Sequence, residues 1–146
     1  MKIIVDANIV YSGILNSNGK IGDLLINSQK YFKFIAPEFL RHEIKSKYEK
    51  IARASGMSIE SVMETEYLVC KDINFISDEQ INDEFWHEAF DLVKDVDLKD
   101  IHYVAFAKQF KCKIWSGDKR LIAGLKDKGF DKALTTGDLV EIRAKK

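Results

Sequence analysis

The sequence has few residues that could cross-link the chain or bind a transition metal. Its 146 residues include only 2 cysteines, and Cys70 and Cys112 lie far apart, outside any CxxC or Cys/His cluster. We expect both to be small buried hydrophobic residues in a reducing compartment. The 3 histidines have neither HxxxH nor HxH spacing, which argues against a zinc site.

Excess charge and long apolar runs are also absent. The 23 Lys and Arg residues balance 23 Asp and Glu residues, which argues against a polybasic nucleic-acid binder but leaves room for a local basic patch. No apolar run approaches the ~18–20 residues of a membrane span, and Asp6 comes too early for a signal-peptide core. With 46% hydrophobic residues, the chain is too apolar for disorder. We expect one cytoplasmic globular domain over residues 1–146.

Motifs for nucleotide cofactors and serine nucleophiles are missing as well. The sequence has no Walker-A loop, no GxGxxG and no GxSxG. Nothing in it therefore indicates chemistry based on a bound nucleotide or on an activated serine.

Short apolar runs alternate with helical patterns along the chain. Runs bounded by turn residues predict strands at 2–5, 32–36, 112–115 and 133–136, each buried on both faces. Helical spacing predicts a helix from Pro37 through Ile51, then helices at 58–70, from Asp78 onwards, at 98–110 and at 119–126. This alternation predicts an α/β three-layer sandwich with a central parallel β-sheet flanked by helices, and a helical hairpin at about 53–72.

Acidic residues follow two of the predicted strands. Asp6 comes directly after the first strand, and Asp118 comes three residues after the strand at 112–115. Because ligands of parallel α/β sheets bind beyond the carboxyl ends of the strands, these two carboxylates are expected to converge. The alternative is that each is only the N-cap of the helix that follows it.

Two further acidic positions are candidates for the same site. Asp97 and Asp100 lie three residues apart and share one face at the start of a helix, although an N-cap at Asp97 and a first-turn acid at Asp100 would also explain them. Glu43 flanks the apolar stripe of the helix after Pro37, where a solvated glutamate is the simpler interpretation.

Convergence of these acids would have a clear chemical consequence. Two like charges ~4 Å apart repel by about 4 kcal/mol at an effective dielectric constant of 20, so such a group either raises its pKa values or recruits a cation. A site built only from carboxylate oxygens suits Mg²⁺ or Mn²⁺. Such cations activate water and neutralise phosphate charge in phosphodiester cleavage.

The order and spacing of the acids resemble the PIN-domain nucleases. The resemblance rests on Asp6-Ala7-Asn8 after the first strand, Glu43 on a helix, Asp97-x-x-Asp100 opening a later helix, and Ser116-x-Asp118 after a strand. The chain is similar in particular to the VapC-like toxins of bacterial and archaeal toxin–antitoxin pairs. The most specific stretch is 97–121, whereas 53–76 matches nothing distinctive.

The resemblance implies an Mg²⁺- or Mn²⁺-dependent endoribonuclease with a parallel sheet between helices. It implies that the catalytic, metal-binding acids are Asp6, Glu43, Asp100 and Asp118. Asp97 would be an accessory metal-binding acid or the cap that orients Asp100, and Asn8 and Ser116 would position a carboxylate or water. Ser116 stands where the family usually has Thr and keeps the hydroxyl. The implied partners are an RNA substrate, an antitoxin whose peptide enters the groove, and a second copy in a homodimer.

Basic residues near the acids are candidates for contacts with substrate phosphates. Arg41 and Lys45 lie one helical turn apart and flank Glu43 in sequence, while Lys119 and Arg120 follow Asp118. A solvated charged helix face explains the first pair equally well. Stacking on a base is a further hypothesis for Tyr11 and Trp115, although Trp115 lies in a predicted buried strand and is expected in the core.

Two other functions remain open at this point. An aspartyl-phosphate phosphatase or a receiver-like domain would also place an acid after the first strand, but Asn8 occupies the second acid of the D-x-D motif, and the acidic pair of a receiver is absent. The other alternative is an inactive RNA- or protein-binding module that keeps the nuclease fold.

Overall fold

The chain alternates strands and helices throughout residues 1–146, all of which are described in a computed structural model. The strands are β1 (Lys2–Val5), β2 (Lys33–Pro37), β3 (Ile73–Ile76), β4 (Lys113–Trp115) and β5 (Ala133–Leu134). The helices are α1 (Ala7–Leu15), α2 (Lys20–Asn27), α3 (Glu38–Ser46), α4 (Tyr48–Ser55), α5 (Ile59–Cys70), α6 (Asp83–Val93), α7 (Ile101–Phe110), α8 (Lys119–Asp127) and α9 (Thr136–Ala144). None of these helices is long and apolar enough to cross a membrane.

The five strands form one parallel sheet in the order β3-β2-β1-β4-β5. The first strand lies at the centre, where Ile3 pairs with Phe34 of β2 and with Lys113 of β4. Because all strands run in one direction, their carboxyl ends meet at a single edge. The prediction of a central parallel sheet flanked by helices is confirmed.

Burial on both faces of the sheet explains the apolar strands. Successive side chains of a strand point to opposite faces, and Ile3 and Ile4 accordingly belong to different hydrophobic clusters. One cluster packs the sheet against α1, α2 and α5 around Phe34 and Trp115. The other packs it against α6, α7 and α8 around Phe106. The sheet is therefore the middle of three layers.

Strand β3 was not among the predicted elements. It lies at the edge of the sheet and pairs only with β2. Its Ile73 and Ile76 are buried while Asn74 is exposed, so its sequence lacks the continuous apolar run of the central strands. The last predicted strand, 133–136, is also shorter in the structure, because Thr135 forms a capping box with Asp138 and begins α9.

The helical region between β2 and β3 differs from the prediction in its boundaries. The helix expected after Pro37 is two helices, α3 and α4, which are separated at Lys47 (φ −114°, ψ 15°). Helix α4 ends at Gly56, which has the left-handed φ of 76° that favours glycine. Helices α4 and α5 form a helical pair over 48–70 where we expected a hairpin at about 53–72. The helix expected from Asp78 begins at Asp83, after a separate 3-10 turn.

Candidate active site

Asp6 is a buried carboxylate at the carboxyl end of the central strand. It is the N-cap of α1, and its Oδ1 accepts a hydrogen bond of 3.0 Å from the Ile9 N–H. Only 3% of the residue is exposed. Burial raises its pKa, the hydrogen bonds from Ser116 and Ile9 lower it, and the Asp118 carboxylate raises it further. The Asp6 side chain thus lies beside a second acid.

Asp118 reaches the same edge of the sheet from β4. Strands β1 and β4 pair with Val5 opposite Trp115, so Asp6 and Asp118 lie one and three residues beyond the paired positions. Asp118 Oδ1 accepts hydrogen bonds of 3.0 Å and 3.2 Å from the backbone N–H groups of Arg120 and Leu121. Asp6 and Asp118 are therefore both helix N-caps and neighbouring carboxylates at one edge of the sheet.

Asp97 and Asp100 bring two more carboxylates to this edge. Asp97 caps the 3-10 turn Leu98–Asp100 by accepting a 3.0 Å hydrogen bond from the Lys99 N–H. Asp100 ends that turn immediately before α7. Burial, followed by repulsion from Asp97, Asp6 and Asp118, raises the pKa of Asp100 to about 7. Its carboxyl group is therefore close enough to three other acids to feel their charge.

Glu43 completes the acidic group from α3 and is paired with a lysine. Its Oε1 lies 3.0 Å from Lys47 Nζ, and that ammonium group also lies 5.4 Å from the centroid of the Tyr11 ring. The Tyr11 hydroxyl is buried and has no hydrogen-bond partner. Burial and the Glu43 charge raise the pKa of Tyr11, so its hydroxyl is protonated at neutral pH.

Four of these acids line one pocket of about 520 Å³: Glu43, Asp97, Asp100 and Asp118. We call it the acidic pocket. Asn8 and Tyr11 of α1 also line it, while Asp6 lies buried behind it, next to Asp118 and Asp100. A second cavity of about 270 Å³ shares Asp97 and Asp118 and adds Arg120.

Ser116 connects two of the acids beneath the acidic pocket. Its side chain is fully buried, and its Oγ accepts a 3.0 Å hydrogen bond from the Asp118 N–H. The same hydroxyl lowers the pKa of the Asp6 carboxylate, so Ser116 lies next to both acids.

The donors of the acidic pocket fit a hard divalent cation, because they are carboxylate oxygens at the end of a water-accessible cleft. Burial is the main cause of the raised pKa of Asp100, and the charges of Asp97, Asp6 and Asp118 raise it further while Lys99 lowers it. The ligand shell is not assembled, however. No three His, Cys, Asp or Glu side chains lie close enough together to hold a metal ion, and Glu43 is engaged by Lys47.

A family model described as PIN domain matches residues 4–137, which include all five acids and every strand except the first two residues of β1. The chain belongs to the PIN-domain family. PIN domains are generally nucleases, and PIN nucleases typically use divalent metals. No curated protein matches the chain.

Several residues that line the acidic pocket of this PIN domain were not predicted. They include Lys47, Lys99 and the consecutive pair His102 and Tyr103. The i,i+4 spacing of Glu43 and Lys47 is a sequence signal that could have revealed the ion pair. His102 Nε2 lies 3.1 Å from Asp78 Oδ2, a contact between segments that the sequence does not indicate.

Tyr103 adds a buried hydroxyl behind the acids. Only 4% of it is exposed, and burial, with the charges of Asp6 and Glu43, raises its pKa. The hydroxyl therefore stays protonated and adds no negative charge to the acidic pocket.

The predicted phosphate-binding residues occupy different places in the PIN domain. Arg120 lines the cavity next to the acidic pocket, and Lys119 is exposed one residue before it. The structure does not bring Arg41 and Lys45 to the acids, because both line a separate cavity with residues of α5 and β3.

Trp115 is a core residue and is not available for stacking on a base. It is fully buried, its ring lies 5.6 Å from that of Phe34, and its Nε1–H donates a 3.1 Å hydrogen bond to Thr136. Tyr11, by contrast, borders the acidic pocket.

Proposed function

We propose that this PIN domain is a metal-dependent endoribonuclease that hydrolyses RNA phosphodiester bonds. The observation that carries the proposal is that Glu43, Asp97, Asp100 and Asp118 line one pocket, where burial and then the charges of neighbouring acids raise the pKa of Asp100. Uncompensated carboxylates in an open pocket are costly for the apoprotein. A bound divalent cation would remove that cost. Metal binding therefore accounts for the grouping of the acids, which helix capping alone does not explain.

The residues proposed to hold Mg²⁺ or Mn²⁺ are Asp6, Glu43, Asp100 and Asp118, with Asp97 as an accessory ligand. When bound, such a cation supplies activation of water and neutralisation of phosphate charge. Glu43 would hold the cation in place of its ion pair with Lys47, and Asp6 and Asp118 would hold it from either side of Ser116.

Other residues of the chain are proposed to position the substrate. Arg120 lines the cavity beside Asp97 and Asp118, where its guanidinium group can bind a phosphate of the RNA backbone. Lys119 can contact a neighbouring phosphate. Asn8 lies at the mouth of the acidic pocket, where its amide can orient a carboxylate or the attacking water.

We extend the proposal to a toxin of a toxin–antitoxin pair that acts on cytoplasmic RNA. Its support is the similarity of the stretch 97–121 to VapC-like toxins. The proposed partners are an antitoxin whose peptide enters the acidic pocket and a second copy of the chain in a homodimer. A gene for a small DNA-binding protein next to this one would support the toxin role, and copurification of its product would test it.

A catalytically inactive RNA- or protein-binding module is the second candidate. The observation that favours it is the ion pair between Glu43 and Lys47, together with the absence of three side chains at metal-ligand spacing. In this alternative Lys47 permanently neutralises Glu43, and the pocket binds a partner without cleaving it.

The test is cleavage of structured and single-stranded RNA by the purified protein in Mg²⁺, Mn²⁺ or EDTA. We expect cleavage with either metal and none in EDTA. Asp6→Asn and Asp118→Asn should each lower the rate by about 100-fold or more, because each removes a ligand charge while asparagine preserves the helix cap. Asp127→Asn, an exposed acid of α8, is the matched control and should keep full activity.

Two results would contradict the proposal. Cleavage that survives EDTA, or that survives both pocket substitutions, would exclude a metal nuclease built on these acids. No cleavage by protein shown to be free of copurifying partners would favour the binding module.

A further inference from the structure

A third cavity, of about 390 Å³, lies between α3, α5 and β3, away from the other two, and differs in charge from the acidic pocket. Its lining includes three basic residues, Arg41, Lys45 and Lys71, and a single carboxylate, Glu66. We call it the cationic cavity. Arg41 and Lys45 come from α3, which also carries Glu43, so one helix borders both cavities.

The basic groups of the cationic cavity form no salt bridge with acids of the protein. Arg41, Lys45 and Lys71 are all exposed, and none takes part in a salt bridge. The Arg41 guanidinium lies 4.4 Å from the centroid of the Phe75 ring. This cation–π contact holds the guanidinium group at the cavity, and a guanidinium group can bind a phosphate through two N–H donors.

The other ionisable groups of the cationic cavity cancel only part of this charge, since Glu66 is one carboxylate against three basic groups. The Glu66 carboxylate accepts a hydrogen bond from the Tyr48 hydroxyl. Burial raises the pKa of Cys70, which also lines the cavity, to about 12, so its thiol is neutral. The cationic cavity therefore keeps a net positive charge at neutral pH.

An exposed aromatic ring stands at the same cavity. Tyr67 of α5 lines it, and 71% of this residue is exposed. Because the Tyr67 ring is mostly exposed, packing in the hydrophobic core does not explain an aromatic residue at this position. Proteins that bind single-stranded nucleic acid usually combine two features. Basic side chains contact the phosphates of the nucleic acid, and an aromatic side chain beside them stacks on a base.

We propose that the cationic cavity is a phosphate-binding subsite for single-stranded RNA, in which Arg41, Lys45 and Lys71 hold a backbone phosphate and Tyr67 stacks on an adjacent base. The inference rests on the proposed function, since the same strand would continue to the acidic pocket. It gives the balance of charge a role: the acids hold the cation for chemistry, and the separate basic cavity holds the substrate.

Helix geometry sets the relation of the two sites. Phe39 and Glu43 face the acidic pocket, while Arg41 and Lys45 follow each of them by two residues, which is about 200° around the helix axis. The strand must therefore cross α3, a helix about 10–12 Å wide with its side chains. The subsite should act on RNA long enough to span that width and not on a dinucleotide.

The experiment measures binding of a fluorescein-labelled 12-nucleotide single-stranded RNA in EDTA, where no cleavage occurs, over a series of salt concentrations. Arg41→Gln/Lys45→Gln/Lys71→Gln should weaken binding about 10-fold at low salt. It should also reduce the slope of log K against log[salt] by at least about 0.7, the contribution of one phosphate on a single strand. Lys126→Gln/Lys132→Gln/Lys145→Gln removes the same charge from exposed lysines elsewhere and should leave both quantities near wild type.

Substitutions of Tyr67 separate stacking from charge. Tyr67→Ala should weaken binding of the 12-nucleotide RNA about 5- to 10-fold without changing the salt slope, whereas Tyr67→Phe should bind as wild type does. Because Tyr67 is mostly exposed, both variants are expected to fold, which thermal unfolding verifies.

The outcomes distinguish the subsite from the proposed function. An equal loss in the two triple variants would overturn the subsite, since only overall charge would then matter, and so would an unchanged slope in the Arg41/Lys45/Lys71 variant. In either case, cleavage by the wild type would leave the nuclease intact. Selective loss of binding in a protein that never cleaves RNA would support the subsite and contradict the nuclease. An absence of RNA binding by the wild type in EDTA would overturn the subsite, while the nuclease would still stand or fall on cleavage with Mg²⁺ or Mn²⁺.

Discussion

Asp100 is the residue whose surroundings most strongly oppose its own charge. It is partly buried and is repelled by Asp97, Asp6 and Asp118, which together raise its pKa to about 7. Its position immediately before α7 keeps it there, because the 3-10 turn capped by Asp97 fixes the backbone. Without a cation, the ionised carboxylate lowers the stability of the folded protein.

This electrostatic cost predicts a specific pH dependence for Asp100→Asn. The folded pKa of about 7 lies above the ordinary value of 3.8, so between these values the folded state keeps a proton that the unfolded state has lost. The contribution of Asp100 to the stability of the wild type in EDTA therefore falls as the pH rises from about 4 through 7. We expect Asp100→Asn to raise the melting temperature by a few degrees at pH 8, and the gain to vanish near pH 4.

Thermal unfolding of both proteins across this pH range is the measurement. Asp127→Asn, which changes an exposed acid outside the acidic pocket, is the control and should show no such gain. A melting temperature of Asp100→Asn that equals the wild type at every pH would show that the carboxyl group is not strained.

At the scale of the helices, the closest approach at any glycine is at Gly22 of α2. A Cβ on Gly22 would lie 2.3 Å from the Ser17 backbone oxygen, a distance at which the backbone must move. By contrast, a Cβ on Gly137 in α9 would lie no closer than 3.7 Å to its nearest neighbour, Thr135 Oγ1. Gly22 thus has no room for a side chain, whereas Gly137 has room for a methyl group.

Gly22→Ala is expected to lower the free energy of unfolding by about 1–3 kcal/mol, the usual cost of forcing extra atoms into a packed site. Gly137→Ala should be neutral or should raise it by up to about 1 kcal/mol, because alanine is the better helix former. Urea denaturation measures both. Equal effects of the two substitutions would contradict the contact between Gly22 and Ser17.

Elements whose signals are local were predictable from the sequence. Strand β1 and helices α1 and α8 follow from an apolar run or a helical stripe next to the capping acids Asp6 and Asp118. Strand β3 and the break at Lys47 depend on tertiary packing, because β3 is an edge strand that pairs only with β2, and because α3 packs against β2 and β3 whereas α4 packs against α1 and α5. Sequence periodicity does not contain that information.

At the scale of the whole molecule, zero net charge conceals a division between two cavities. Acids from β1, α3, α7 and α8 surround the acidic pocket, while the basic residues of α3 and α5 surround the cationic cavity. Asp6, Asp97, Asp100 and Asp118 were candidates in the sequence because each follows a strand or begins a helix, whereas Glu43 lies inside α3 and is marked only by its place beside the apolar stripe. The location of Arg41 and Lys45 could not be predicted from their closeness to Glu43 in the sequence. Their positions around the axis of α3 direct them to a different cavity.

The measurement that tests the central claim most directly is binding of Mn²⁺ followed by electron paramagnetic resonance, which detects the free ion. We predict saturable binding of at least one Mn²⁺ by the wild type, weakened 10-fold or more in Asp118→Asn and unchanged in Asp127→Asn. Mn²⁺ binding by Asp118→Asn with the wild-type affinity would contradict the assignment of the acidic pocket as the metal site.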